Sequence, residues 1–131
     1  MADSAPVAAF EQTVEATLKH FQNPQWLGEH SPLAAPYLLS RRLQAWAAAP
    51  VARGRLLQEL IKQAASGMTG KYAERSRQLL TEYYFSDRSV DAVCDTLSLS
   101  RAAFHTSRHT AIALLAGELA TLLQPALALE K

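Results

Sequence analysis

Residues 97–115, LSLSRAAFHTSRHTAIALL, fall into two unlike halves. The first carries Arg101, His105, Arg108 and His109 without an acidic residue, whereas the second is Ala, Ile and Leu. A helix that only fills a core needs neither Arg nor His, so a positive end of this segment calls for a ligand. At 100° per residue, Phe104, Ala111, Leu115, Leu119 and Leu122 share one direction. Ala102, His105, Thr106 and His109 share the opposite one. Ser100 stands where an N-cap belongs if the helix opens at Arg101.

Upstream, SVDAVCDTL at 89–97 reads as a short helix. Ser89 is its N-cap, Asp91 lies near the positive end of the dipole, and Val90, Val93, Cys94 and Leu97 are spaced to face a core. A turn of three or four residues, with Leu99 pointing inward, then leads into the longer helix. This is the helix-turn-helix plan, in which the second helix enters the DNA major groove by its N-terminal half.

The stretch FSDRSVDAVCDTLSLSRAAFHTSRHTAIALLAGEL, 85–119, resembles the helix-turn-helix of region four of the bacterial sigma factors and of related bacterial transcription regulators. The likeness runs over about residues 79–119. It implies scaffold roles for Val93, Leu97, Leu99, Phe104 and Leu115, and DNA contacts from Arg101, Ala102, Ala103, His105, Thr106 and Arg108. With Ser100 at the helix start and His109 on the same outward face, these form the candidate DNA-binding set. The chain departs from the family at Ser98, where glycine is usual; a left-handed conformation there costs a non-glycine residue about 1–2 kcal/mol. Its reading helix also has few long basic side chains, and Ala102 and Ala103 suit thymine methyl groups rather than guanine edges. The partners implied are double-stranded DNA and, as for sigma-like modules, RNA polymerase or another regulator; a homodimer is compatible with the pattern.

The rest of the chain also reads as helical. Val7, Phe10, Val14, Leu18 and Phe21 have the spacing of an amphipathic helix over about 5–21, with Ser4 as N-cap and Pro6 in the first turn. QNPQWLGEHSP breaks it; Trp26 and Leu27 are expected to plug the core, and Ser31-Pro32 forms a second helix start. LAAPYLLSRRLQAWAA is helical up to Pro50, with Pro36 in its first turn or at a kink. VARGRLLQELIKQAA stripes Leu56, Leu57, Leu60 and Ile61, and KYAERSRQLLTEYYF arranges Tyr72, Leu79, Leu80, Tyr83 and Tyr84 helically. SGMTG at 66–70 is the strongest break. The expectation is an all-α chain of about six helices with a C-terminal helix-turn-helix. It divides into an N-terminal helical module over 1–67 and a sigma-region-four-like module over 71–131. VEATLKHFQNPQWLGEHSPLA, followed by a helical linker, also looks like the helical front end of some multidomain bacterial regulators.

Charge is unevenly spread. The net charge of +1 resolves into −3 over residues 1–40, +5 over 41–71 and −1 over 72–131. Arg41, Arg42, Arg53 and Arg55 are therefore phosphate-contact candidates, set against the plainer reading in which they only solvate helix faces.

Other chemistries find little support. A single cysteine, Cys94, excludes an internal disulfide, and it sits on the apolar stripe. His105 and His109 have metal-ligand spacing but no acidic or Cys residue completes a set, so no metal is expected. Ser100 and His105 lack an acid to complete a triad. GMTGK lacks the spacing and the following Ser/Thr of a P-loop, so neither an enzyme nor a cofactor is expected. No apolar run approaches the roughly 18 residues of a membrane span and the start lacks signal-peptide character, which points to the cytoplasm. The competing function is a helical protein-interaction or oligomerisation adaptor with a degenerate helix-turn-helix. The face around Arg101, His105 and Thr106 separates the two: free and basic favours DNA, covered favours the adaptor.

Overall fold

The three-and-four spacing of Phe10, Val14, Leu18 and Phe21 produces α1, Ser4–Lys19, whose Val14 and Leu18 are buried, as is Phe21 just beyond it. The computed structural model describes residues 4–34 and 49–129; among these it is all-α, with six α-helices and no strand. The helix expected before Pro50, with Pro36, Arg41, Arg42 and Trp46, lies outside the described residues.

Asn23 caps α2, Pro24–His30, its side-chain oxygen accepting from Trp26 N at 3.0 Å. Leu27 is fully buried, but Trp26 only half so; its ring stacks on His20 at 3.7 Å instead of plugging the core. Ser31 and Pro32 open a single 3-10 turn, Pro32–Ala34, within the described residues. Ser31 Oγ accepts from Leu33 N at 3.2 Å and shares a 2.8 Å hydrogen bond with Thr17 Oγ1, so two buried hydroxyls satisfy each other.

Next come α3, Pro50–Gly67, and α4, Ala73–Leu79, which runs on into a π-helical turn, Leu80–Phe85. Two shorter steps lead to α5, Val90–Leu97, and α6, Arg101–Leu129. Tyr72, aligned by sequence with core-facing residues, precedes α4 and is 58% exposed.

The helices α2 and α3 cross backbone against backbone. Each begins Pro-x-x-x-Gly, and a Cβ on Gly28 would collide with the Pro50 carbonyl while one on Gly54 would collide with the Pro24 carbonyl, both far inside 3.0 Å. Only glycine permits that approach. Arg53 reinforces it, its Nη2 donating to Gly28 O at 3.1 Å.

From this crossing α3 presents Leu57, Leu60, Ile61 and Ala64 as a floor. Leu18 of α1, Leu79 of α4, Val93 of α5 and Phe104, Leu115 and Leu119 of α6 belong to the same buried cluster, so core residues from both sides of 66–70 pack as one. Polar side chains close the helix ends, where carbonyls lack intrahelical partners. Arg77 donates to Ala65 O (3.0 Å) and Met68 O (2.7 Å) at the end of α3. Gln58 donates to Phe21 O (2.6 Å), and Gln22 to Tyr84 O (3.0 Å) and Phe85 O (2.7 Å). Among the described residues, no helix is long and apolar enough to cross a membrane.

Two glycines make a matched test. Alanine is worth about 1 kcal/mol over glycine in a helix, and a Cβ on Gly117 of α6 would meet nothing within 4 Å. Gly117→Ala should raise the melting temperature. Gly54→Ala should lower it, because overpacking against backbone costs about 1–3 kcal/mol and outweighs the propensity gain. Thermal unfolding of both variants checks this; a Gly54→Ala protein as stable as the parent would refute the close crossing. Phe104→Ala, which empties a fully buried ring site, should cost about 3–5 kcal/mol in denaturant unfolding.

Candidate nucleic-acid interface

Ser89 caps α5, its Oγ accepting from Ala92 N at 3.1 Å. The helix ends with Ser98 in the left-handed region, φ 57° and ψ 50°. Ser98 N donates to Asp95 O (3.4 Å) and Leu99 N to Cys94 O (2.9 Å), the paired bonds of a Schellman end, which hold a non-glycine residue in this conformation. The chain then turns at once into α6. Ser100 Oγ accepts from Ala103 N at 3.1 Å, and Phe104, fully buried, meets the Tyr83 ring edge-to-face at 5.1 Å.

With Phe104 anchored, the opposite side of α6 is decided. Arg101, Ala102, His105, Thr106 and His109 are exposed, as is the capping Ser100, while Ala103 is half-buried. Arg101 Nη2 lies 2.6 Å from Asp91 Oδ1, but both side chains are largely in water, so the pair is weak and easily exchanged. Arg108 is placed differently from the rest of the set. Its side chain is 17% exposed and its Nη1 lies 2.6 Å from Glu15 Oε2 of α1, so it docks α1 onto α6.

The Arg108–Glu15 contact is also an electrostatic one. The hydrogen bond from Arg108 holds the Glu15 carboxyl below the ordinary carboxylate range, against the partial burial that pushes it up. Burial raises the Tyr84 phenol, and the adjoining Arg108 pulls it back. Burial likewise works against the charge on Arg108, but its contacts with Glu15 and Tyr84 prevail.

The two flanks of α6 differ in charge. Toward α1, His109 borders a groove with Glu11 and Glu15. Counting along its own helix finds no carboxylate near His109; the packing of α1 supplies two. Toward α4, Thr106, Ser107 and Thr110 border a groove with Lys71, Tyr72 and Arg75. In the sequence Tyr72 ranked with the helically spaced apolar residues, Arg75 carried no role, and Lys71 counted only within the basic excess of 41–71. Of the four phosphate-contact candidates, Arg53 reaches inward to Gly28 O, Arg55 is exposed on α3, and Arg41 and Arg42 lie outside the described residues. Among the described residues no three His, Cys, Asp or Glu side chains gather as a metal site, and Cys94 is a half-buried free thiol. Comparison with protein-family models, with curated proteins and with solved structures gave no match.

The lowered Glu15 pKa sets the sign of a pH effect. A carboxyl held lower in the folded than in the unfolded chain adds stability above its unfolded value, and that stability is lost as pH falls through the folded value. Glu15→Gln should therefore cost about 1–2 kcal/mol near pH 7, where a charge-assisted hydrogen bond is removed. The gap from the parent should close below about pH 4. Urea unfolding at a series of pH values checks this; a pH-independent gap would mean that packing, not charge, joins α1 to α6.

Proposed function

We propose that this protein is a double-stranded DNA-binding regulator in which α5, the turn at Ser98–Ser100 and α6 act as a helix-turn-helix, with the N-terminal half of α6 in the major groove. The observation that carries this reading is the open outward face of that half. Arg101, Ala102, His105, Thr106 and His109 are all exposed, while Phe104 behind them is fully buried. Every surface helix leaves one side in water, but this side carries Arg101, His105 and His109 with no acid of its own in the first turns, the charge expected of a surface that meets phosphate. The abrupt turn supports the same reading, since three residues between α5 and α6 leave the start of α6 projecting rather than wrapped.

Within this arrangement, Arg101 exchanges its exposed Asp91 partner for a phosphate or a guanine edge, and Ala102 offers a methyl contact. Thr106 and His105 lie one turn further along. Ser100 caps α6 and fixes where its first N–H groups point.

An electrophoretic shift with random duplex at low and high salt tests the reading. Binding should be clear at low salt and weaken as salt rises. Arg101→Ala should lower affinity about ten-fold, within the range for losing a base or phosphate contact. Asp91→Asn should raise it, because it both frees Arg101 and removes a negative charge beside the duplex. Retardation of no duplex at low salt would overturn the reading and assign the exposed face to a protein partner.

A further inference from the structure

We propose that the groove between the start of α4 and the outer side of α6 is a phosphate-binding site, formed by Lys71 and Arg75 with the hydroxyls of Thr106, Ser107 and Thr110. In the DNA-binding reading, on which its occupant rests, that phosphate is a backbone phosphodiester of the bound duplex.

The groove is open, about 500 Å³ in volume, within the size range of ligand sites. Its lining carries two cations, several hydroxyls and no carboxylate. The nearest acid in sequence, Glu74, is committed elsewhere: its Oε1 lies 2.8 Å from Arg77 Nη1. Arg75 is exposed and makes no ion pair among the described residues. Lys71 Nζ stands 5.5 Å from the ring centre of Tyr72, a contact that places the ammonium without neutralising it. Tyr72 is in turn 58% exposed, a large aromatic left at the rim of a polar cleft. Two uncancelled cations facing three hydroxyls suit an anion with several acceptor oxygens, and a phosphate ester has that chemistry.

The groove's place matters as much as its lining. Thr106 belongs both to this groove and to the outward face of α6. A phosphate seated between Arg75 and Thr106 is therefore next to whatever α6 reads, where a strand bordering the major groove would run. The other flank of α6 carries Glu11, a Glu15 already paired with Arg108, and no lysine or arginine in its lining, so it does not favour the same group. The two flanks together give a bound duplex one preferred side.

The test pairs Lys71→Ala/Arg75→Ala with Lys19→Ala/Lys62→Ala, which removes equal charge from exposed positions outside the groove. Duplex affinity is measured across a salt series, and in a second arm inorganic phosphate is titrated into DNA-free protein while the amide signals of Thr106, Ser107 and Thr110 are followed. The groove variant should lose about ten-fold in affinity for every duplex, with a salt slope shallower by about 2. The control should change both by clearly less, and saturable phosphate shifts should vanish in the groove variant alone. If the parent binds duplex and the groove variant matches it in affinity and slope, the groove proposal is overturned and the DNA-binding reading survives. If the parent ignores duplex but shows the phosphate shifts, the DNA-binding reading fails and the groove stands as a site for a free phosphate ester. Absence of both signals removes both. Unchanged melting temperatures confirm that each variant folds.

Discussion

The contact on which the other helices rest is the crossing of α2 and α3, where Gly28 lies on the Pro50 carbonyl and Gly54 on the Pro24 carbonyl. Side chains normally hold helix axes about 8–10 Å apart; here two missing Cβ atoms let backbones touch. The reciprocity of the Pro-x-x-x-Gly pairs means that neither helix can shift along the other without losing both contacts. That pins α3, and α3 carries the apolar floor of Leu57, Leu60 and Ile61 on which the core is built. Arg77 then closes its last carbonyls from α4. The segment that carries Lys71, just before α4, and Arg75 within it is thus tied to α3 through the hydrogen bonds of Arg77, while α4 packs on α6.

Helix α6 serves two environments along one surface. Its inward stripe, from Phe104 through Leu119, is fully buried, and Phe104 fixes the rotation of the helix because a buried ring wedged against Tyr83 admits little alternative. The outward stripe has no comparable constraint. It carries Arg101, His105 and Thr106, all exposed, of which His105 also lays its ring edge-to-face with Phe104 at 5.4 Å. The strained Ser98 belongs to this division: its left-handed backbone costs conformational energy, and the Schellman bonds offset it while turning the chain sharply enough to expose the start of α6.

Electrostatics gives that exposed face a direction. Arg108 is withdrawn to Glu15 at the back of α6, so the positive charge near the face comes from Arg101 and, across the α4 groove, from Lys71 and Arg75. Glu11 and Glu15 line the opposite edge. With a net charge of only +1, the protein as a whole has little attraction for a polyanion, and the positive potential is confined to this local arrangement of charges.

What the sequence determined was local in origin. Caps at Ser89 and Ser100, breaks at Pro24 and Gly70, and the apolar stripes of α1, α3 and α6 follow from hydrogen-bonding and periodicity within a few residues, which is why the all-α class and the inward and outward sides of α6 could be read directly. Tertiary structure decided whatever depended on residues far apart in the chain. Gly28 looked like a simple break until Pro50 was brought against it, and Tyr72 looked like a core residue until α4 started after it. Arg108 found Glu15 across 93 positions, and Lys71 and Arg75 met Thr106 and Thr110 only through the packing of α4 on α6. A single sequence encodes helical periodicity in each segment, but the pairing of side chains across a core depends on how the segments stack, and that is settled by close packing rather than by any one stretch of residues.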